Sequence, residues 1–217
     1  MDKKFKAFAA AQRIMNELRA IDMDFNNPFE VLDDYELCPD YIHWGYGASR
    51  IAVWDNEHDF AIKFARDVEY EKYTEAEVDL YSRAKELGIE THFAWIDKFA
   101  SSYTEEDGTY MPAIYVVEFL YCDDNEVGEV AWDYGYERYC ESLGLDSSDE
   151  DNMDSYNDER IDEKDEILDY FLSQMSEEDR AKTYNFIYDN DINDLHSGNY
   201  SFRGKQLVIH DYAGWGW

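Results

Sequence analysis

Hydrophobic positions in the first twenty residues recur at intervals of three and four, which is the spacing of one face of an α-helix. Most of the basic residues of this stretch fall on the other faces, so the pattern predicts an amphipathic helix. Residues 21–42 hold a short apolar run between Pro28 and Pro39, which is compatible with a second, short helix. We therefore expect residues 1–42 to form a helical extension that packs against the next part of the chain.

From residue 41 the apolar period changes to that of β-strands. Polar or glycine-containing turns separate short apolar runs, and Gly45-Tyr46-Gly47 is the first of these turns. Between the third and fourth runs a helical pattern opens with Thr74 as the expected N-cap and Glu77 three residues later, and it ends at Gly88. The runs predict five strands, at residues 42–45, 49–54, 60–65, 91–100 and 111–121.

Beyond residue 121 the spacing of apolar positions becomes helical again, beginning with residues 127–143. Residues 146–169 contain twelve acidic residues against Arg160 and Lys164, so we expect the first part of this segment, residues 146–162, to be a mobile loop. The patterns divide the chain into a helical extension, a strand-rich segment and a helical segment, at residues 1–42, 43–121 and 122–217.

The charge of the chain limits its partners. It has 19 Lys and Arg against 51 Asp and Glu, a formal net charge of -32. Such a surface repels nucleic-acid phosphates and anionic membranes, because a binder of either must supply cations. We therefore expect no direct nucleic-acid binding and no membrane binding. Residues 1–20 are the exception with a local charge of +3, so the first helix is expected to clasp an acidic face elsewhere in the chain.

The cysteines, the histidines and the amino-terminal residues match no metal-binding or targeting pattern. Cys38, Cys122 and Cys140 have no metal-like spacing, and no signal-peptide pattern opens the chain. The five histidines are scattered, also without metal-ligand spacing. A reduced cytoplasmic location is the expectation from these features.

The last part of the chain carries the chemistry. Asp194 is followed five residues later by Asn199, then come a predicted hairpin at residues 200–209 and Asp211 directly after its second apolar run. In phosphoryl transfer the protein mainly positions the acceptor hydroxyl and binds hard divalent cations, which neutralise charge and prefer oxygen ligands. A carboxylate base and two oxygen-bearing metal ligands in this order suit that chemistry.

The Asp194-Leu195-His196-Ser197-Gly198-Asn199 motif, followed by Asp211-Tyr212-Ala213-Gly214, resembles the catalytic loop and the metal-binding motif of the protein-kinase-like superfamily. It is closer to the aminoglycoside and choline phosphotransferase branch, and to small kinase-like bacteriophage proteins, than to eukaryotic protein kinases. Two departures are visible. Ile192-Asn193 replaces the family's His-Arg, and one extra residue precedes the final Gly.

The resemblance implies a bilobal α+β fold. A five-stranded antiparallel sheet with one helix would form the amino-terminal lobe, and a reduced helical lobe, ending soon after the D-F-G equivalent, would carry the catalytic loop. It also implies Asp194 as the base and Asn199 and Asp211 as ligands of Mg2+. His196 would orient the catalytic loop by hydrogen bonding.

In the strand-rich segment, the resemblance places Gly45 and Gly47 over the phosphates of ATP, and Lys63 on those phosphates. The alternative for Lys63 is an edge-strand lysine that points to solvent. Glu77 is the expected partner of Lys63 and Glu75 is the second candidate, because a Glu77 that caps its own helix could not also hold the lysine. Backbone groups near two further residues would bind adenine, at Glu118 and Leu120.

Two functions remain open at this point. The first is an ATP- and Mg2+-dependent phosphotransferase that acts on a hydroxyl of a protein, such as a basic nucleic-acid-associated protein, or of a small molecule. The second is an acidic inhibitor that imitates nucleic acid, or a pseudokinase binding module, built on the same scaffold.

Overall fold

The structure is a computed structural model of the 217-residue chain. It describes residues 2–34, 37–57, 59–106, 108–120 and 124–213. Three residues that entered the sequence interpretation lie outside these ranges, namely His58, Cys122 and Gly214. Within the chain, Met1–Lys85 and Ala94–Leu120 form one compact unit, and Glu86–Phe93 and Tyr121–Trp217 form a second one.

A five-stranded antiparallel sheet is the centre of the first unit. Its spatial order is β1-β2-β3-β7-β4, so the third strand is central. A two-stranded hairpin, β5–β6, lies in the connection before β7. The α+β class with a five-stranded antiparallel sheet is confirmed. The strands are β1 (Ile42–Tyr46), β2 (Arg50–Asp55), β3 (Phe60–Ala65), β4 (Ile96–Ala100), β5 (Tyr103–Thr104), β6 (Tyr110–Met111) and β7 (Ile114–Glu118).

Two of the predicted strands were too long. The run at 91–100 forms a strand only from Ile96, since Glu90–His92 make a 3-10 turn. The run at 111–121 pairs as β7 only after Pro112, which has no N–H to donate to a strand ladder. The apolar runs in the sequence therefore did not locate the first residues of β4 and β7.

The amino-terminal helix α1 (Lys3–Ala20) packs on one face of the sheet, and α2 (Phe29–Leu32) follows it. Ile14 and Leu18 of α1 are fully buried in one apolar cluster with Ile51 and Ile62 of the sheet. Three of the five basic residues of α1 form ion pairs with described acidic residues of the same unit, in line with the charge pattern. The ion pairs are Lys3–Glu118, Lys4–Asp97, Arg13–Asp55 and Arg13–Glu57.

Helix α3 (Glu71–Leu87) begins earlier than predicted. A 3-10 turn at Val68–Tyr70, capped by the side chain of Asp67, leads into it, so Thr74 is an interior residue and not an N-cap. Thr74 is fully buried, and Glu77 follows one turn later on the same face. The helix ends at Gly88, whose φ of +74° is the left-handed conformation expected of a C-terminal glycine.

The second unit contains four helices and one hairpin in its described residues. The expectation of a mobile loop over residues 146–162 was wrong, because α5 occupies most of it. The side chain of Asp149 caps this helix, and Tyr156 buries its ring among Trp132, Tyr136 and Tyr139. The elements are α4 (Asp124–Leu143), α5 (Glu150–Glu159), α6 (Glu163–Ser173), α7 (Glu177–Asp189), β8 (Tyr200–Arg203) and β9 (Gln206–Ile209).

Among the helices in the described ranges, none combines the length and the apolar character needed to cross a lipid bilayer.

Candidate functional site

Lys63 lies in the central strand β3, every residue of which is buried. Its side-chain nitrogen is 3.1 Å from Oε2 and 3.3 Å from Oε1 of Glu77. The alternative of an edge-strand lysine that points to solvent was wrong, since Lys63 is only 9% exposed. A buried ammonium needs a close anion, and α3 supplies it.

The choice between the two candidate glutamates follows from α3. Glu77, on the buried face of the helix, contacts Lys63 and is 1% exposed. Glu75, on an exposed part of the helix, instead pairs with Lys98 of β4 at 2.5 Å. Because α3 begins at Glu71, Glu77 has no capping role, and the conflict expected from the sequence does not arise.

A second cation reaches the same carboxylate, and the sequence interpretation missed it. Nη1 of Arg50, the first residue of β2, is 3.2 Å from Oε1 of Glu77. The sheet register pairs Ala52 with Lys63, so Arg50, two residues before Ala52, projects from the same sheet face as Lys63. Strand alternation was the only available signal, since Arg50 stands outside every motif.

The turn expected at Gly45-Tyr46-Gly47 begins only at Gly47, because Gly45 and Tyr46 belong to β1, where Gly45 pairs with Ala52 of β2. The N–H of Gly47 donates to the carbonyl of Arg50 at 2.9 Å, so it closes the turn and is committed within the protein. A Cβ at Gly47 would meet no described atom within 4 Å, whereas one at Gly45 would lie 3.6 Å from the ring of Trp54. The predicted role of Gly47 over phosphates would therefore rest on the open space beside it and not on its backbone N–H, which is already used.

Arg66 fixes the position of this turn. Its Nη1 donates to the carbonyl of Gly47 at 3.3 Å, and its guanidinium lies over the rings of Phe29 and Tyr46. The backbone N–H of Arg66 also donates to the carbonyl of Ser49. The glycine turn is therefore held against the end of β3.

The expected adenine-binding segment begins with Glu118, the last residue of β7. The N–H of Glu118 donates to the carbonyl of Trp95 at 2.8 Å, and the Glu118 carboxylate accepts from the N–H of Trp95 and from Lys3. The backbone donor of Glu118 is thus already used. Leu120, two residues on, is half-buried and is the last described residue of the first unit.

In the second unit, the catalytic-loop candidates follow α7. The side-chain amide of Asn199 donates to the backbone carbonyl of Asp194 at 2.5 Å, while the Asp194 side chain is 40% exposed. His196 accepts from the N–H of Gly198 at 3.1 Å, and its other ring nitrogen is 3.7 Å from an oxygen of Asp194. His196 therefore makes one hydrogen bond within the loop, as expected, and its role in orienting the loop stays a prediction.

Asn199 and Asp211 leave the same end of the β8–β9 hairpin. Tyr200 pairs with Ile209 at that end, and the N–H of His210 donates to the carbonyl of Asn199 at 3.0 Å, which extends the ladder by one step. Asp211 is the next residue. Because Nδ2 of Asn199 is used by Asp194, its Oδ1 is the atom that remains for a ligand.

These two side chains fit Mg2+ in chemistry. Both offer hard oxygen atoms, and Mg2+ is commonly held by one or two protein groups together with phosphates and water. Within the described ranges, no group of three or more His, Cys, Asp and Glu side chains is placed to hold a metal ion alone.

Comparison with known proteins adds distant structural similarity. No protein-family model matches the chain, and no curated protein matches it. The aminoglycoside phosphotransferase APH(2'')-Ib with ADP bound is similar over 82% of this chain and 67% of its own, with 14% identity and a TM-score of 0.37. The GDP and kanamycin complex of APH(2'')-IIia is similar over 90% of this chain and 72% of its own, with 13% identity and a TM-score of 0.38. Similarity at this level transfers no activity.

The predicted residues thus form two groups, each defined within its own unit. In the first unit, the structure brings Lys63 and Glu77 together and adds Arg50 to them. In the second unit, a continuous hydrogen-bond path joins Asp194 to Asn199 and Asn199 to the residue before Asp211. The catalytic and metal-binding roles of these residues stay predictions.

Proposed function

We propose that this chain is a kinase-like phosphotransferase that uses Mg2+ and ATP to phosphorylate a hydroxyl group. The observation that carries the proposal is the buried contact between Lys63 in the central strand and Glu77 on α3. A sheet that only needed stability would be served as well by apolar residues at these positions, because a buried ion pair gains little over good packing. A lysine held in place by a carboxylate suits a role on phosphates.

Each polar group has a task in this proposal. Lys63 contacts the phosphates, while Asn199 and Asp211 hold the metal ion through oxygen atoms. When bound, Mg2+ would supply positive charge against the phosphates. Asp194 accepts the proton of the acceptor hydroxyl as that oxygen bonds to the γ-phosphorus, and the bond between that phosphorus and the β–γ bridging oxygen breaks to leave ADP.

The environment of Asp194 supports its role as the base. Its side chain is 40% exposed and can meet an acceptor, while its backbone carbonyl is anchored by Asn199. A base on an anchored backbone is positioned before the acceptor arrives, which is the main contribution a protein makes to this reaction.

Two measurements test the proposal on the purified chain. The first is the shift in the thermal midpoint with Mg-ATP, with GTP as a comparison. The second is transfer of labelled phosphate to a panel of small-molecule hydroxyls and basic proteins. We expect Asp211→Ala to lose both responses and Asp194→Asn to lose only transfer. Asp154→Asn, at an exposed position of α5, is the matched control and should keep both.

The acceptor is proposed from charge. A net charge of -32 favours a cationic partner, so a basic protein is the first acceptor to test and a small molecule the second. The charge also supports the competing function, an acidic module that occupies a basic site on a nucleic-acid enzyme. Salt-sensitive binding to a basic enzyme, without a response to nucleotide in the wild-type chain, would favour the inhibitor and contradict the phosphotransferase.

A further inference from the structure

Arg50 joins the glycine turn to the buried ion pair. It follows Gly45-Tyr46-Gly47 closely, and its carbonyl accepts the N–H that closes that turn. Its side chain points into the first unit, where it contacts Glu77, and is 9% exposed. An arginine so placed affects both the turn and the carboxylate.

The two cations share the carboxylate unequally. Oε1 of Glu77 is 3.2 Å from Nη1 of Arg50 and 3.3 Å from Nζ of Lys63, while Oε2 is 3.1 Å from Nζ of Lys63. The pairing of Ala52 with Lys63 places both cations on one face of the sheet, and their contacts with Glu77 show that α3 lies on that face. The carboxylate is 1% exposed, so water is a poor substitute for either contact.

This arrangement bears on how Lys63 could serve a nucleotide. A lysine that is the main counter-ion of a buried carboxylate must keep facing it, because moving away would leave a buried charge poorly compensated. A second cation on the same carboxylate lowers that cost. Arginine suits the task, since its guanidinium stays charged at every physiological pH and offers several donors.

We propose that Arg50 is a positioning residue for phosphate binding. It holds Glu77 in place, and thereby allows Lys63 to direct part of its hydrogen bonding to the phosphates of a nucleotide. The inference rests on the proposed function, because it assigns Arg50 a part in the nucleotide site. Arg50 acts through Glu77 and not on the reacting atoms.

The test compares Arg50→Met with Arg50→Lys, and uses Arg13→Met as the matched control. Arg13 also pairs with a largely buried carboxylate, that of Asp55, but this ion pair joins α1 to the sheet and does not involve Glu77. We expect Arg50→Met to raise the Kd and KM for Mg-ATP about tenfold, with a smaller change in kcat, because Lys63 then has to compensate the Glu77 charge without Arg50. Arg50→Lys should recover most of the affinity, and Arg13→Met should bind as the wild type does.

A structural role alone would give a different result. In that case Arg50→Met would lower the thermal midpoint but leave the KM for Mg-ATP equal to that of Arg13→Met, and the proposal would be overturned. If Arg50→Met does not fold, Arg50→Gln takes its place, and an unchanged KM in that variant overturns the proposal equally.

A double-mutant cycle separates this inference from the proposed function. Thermal stability without nucleotide is measured for Arg50→Met, Lys63→Met and the double variant. We expect the double variant to lose more than the sum of the single losses, because each single variant leaves Glu77 one of these cations. Additive losses would overturn the sharing of Glu77. Non-additive losses with no wild-type response to nucleotide would instead overturn the proposed function, and the phosphate role of Arg50 with it.

Discussion

The side-chain amide of Asn199 donates a hydrogen bond to the backbone carbonyl of Asp194, with 2.5 Å between nitrogen and oxygen. Asn199 is 7% exposed, so the bond forms away from water. Asn199→Asp replaces the donor by a carboxylate oxygen that repels the carbonyl, although it keeps an oxygen ligand for a metal. We expect a loss of about 1–3 kcal/mol in the free energy of unfolding, measured by urea denaturation.

Asn152→Asp is the control for this change. The Asn152 amide donates to the backbone carbonyl of Asp146 at 2.9 Å, the same type of bond, but in a solvent-exposed position. Water can replace the lost donor there, so the loss should stay within about 0.5 kcal/mol. Equal losses in the free energy of unfolding for Asn199→Asp and Asn152→Asp would show that the buried contact between Asn199 and Asp194 is no more important than the exposed one.

Gly135 of α4 lies against the hydroxyl of Tyr156 on α5. A Cβ at Gly135 would stand 2.1 Å from that oxygen and 3.2 Å from the adjoining ring carbon. Tyr156 cannot easily move away, because its hydroxyl bonds to Glu166 and its ring is packed against Trp132. Burial and the Glu166 contact raise the pKa of Tyr156, so the hydroxyl remains the donor of this bond.

We therefore expect Gly135→Ala to destabilise the second unit by about 1–3 kcal/mol, despite the higher helix propensity of alanine. Gly128→Ala on the same helix is the control. A Cβ there would meet only Glu163, at 3.7 Å, so the propensity gain of up to about 1 kcal/mol should appear as stabilisation. A thermal midpoint below that of the wild type for Gly135→Ala and above it for Gly128→Ala would establish the close contact. A Gly135→Ala variant as stable as the wild type would contradict it.

Short-range patterns were sufficient to predict most of the first unit. Residues 60–65 form β3 as the apolar run predicted, and Gly88 ends α3 where the sequence indicated. Lys63 attracted attention because a charge inside an apolar run needs a partner, and that partner is present in Glu77. These inferences succeed because they depend on neighbours in the sequence or on a cost that holds in any fold.

Other features depended on contacts between distant parts of the chain. Arg50 became visible only when strand register placed it on the face that α3 covers. Composition predicted a mobile loop at residues 146–162, but the aromatic ring of Tyr156 packs α5 against α4. Thr74 matched a capping pattern, yet the turn at Val68–Tyr70 starts the helix earlier. Composition and local motifs carry no information on such tertiary contacts.

His92 gives the second unit a specific dependence on pH. It is 7% exposed, and its Nδ1 accepts a hydrogen bond from Nε2 of Gln206, since an amide nitrogen can only donate. Burial lowers the pKa of His92 below its usual 6.5, and the charge of Arg203 acts in the same direction, against Asp179 and Glu90. The folded state therefore binds fewer protons at this site than the unfolded state does when the pH is below about 6.5.

The sign follows from that difference. The contribution of His92 to stability is complete above pH 6.5 and is lost as the pH falls from that value toward the lowered pKa of the folded state. We expect the wild type to lose stability relative to His92→Gln over this range, by up to about 1.4 kcal/mol per pH unit. The carboxylates common to both proteins cancel in the comparison. Parallel urea midpoints from pH 7.5 to about 5 would contradict a buried neutral His92.

Arg203 ties the β8–β9 hairpin to the segment before β4. Its Nη1 donates to the carbonyl of Thr91 at 2.6 Å, and its Nη2 to the carbonyl of Phe93 at 3.0 Å. Phe93 is fully buried and packs edge-to-face on Tyr212, the residue after the predicted metal ligand Asp211. The guanidinium fork is needed to reach both carbonyls at once, and a lysine ammonium on a single stem does not have that geometry.

We expect Arg203→Lys to lower the stability of the second unit by about 1 kcal/mol, and to increase amide hydrogen exchange in β9. Arg180→Lys is the matched control, since the Arg180 side chain makes one contact of this type, from Nε to the carbonyl of Leu172, which an ammonium can replace. If Asp211 depends on the hairpin for its position, Arg203→Lys will also weaken the response to Mg-ATP, whereas Arg180→Lys will not. Equal exchange rates in β9 for the two variants would show that the fork does not hold the hairpin.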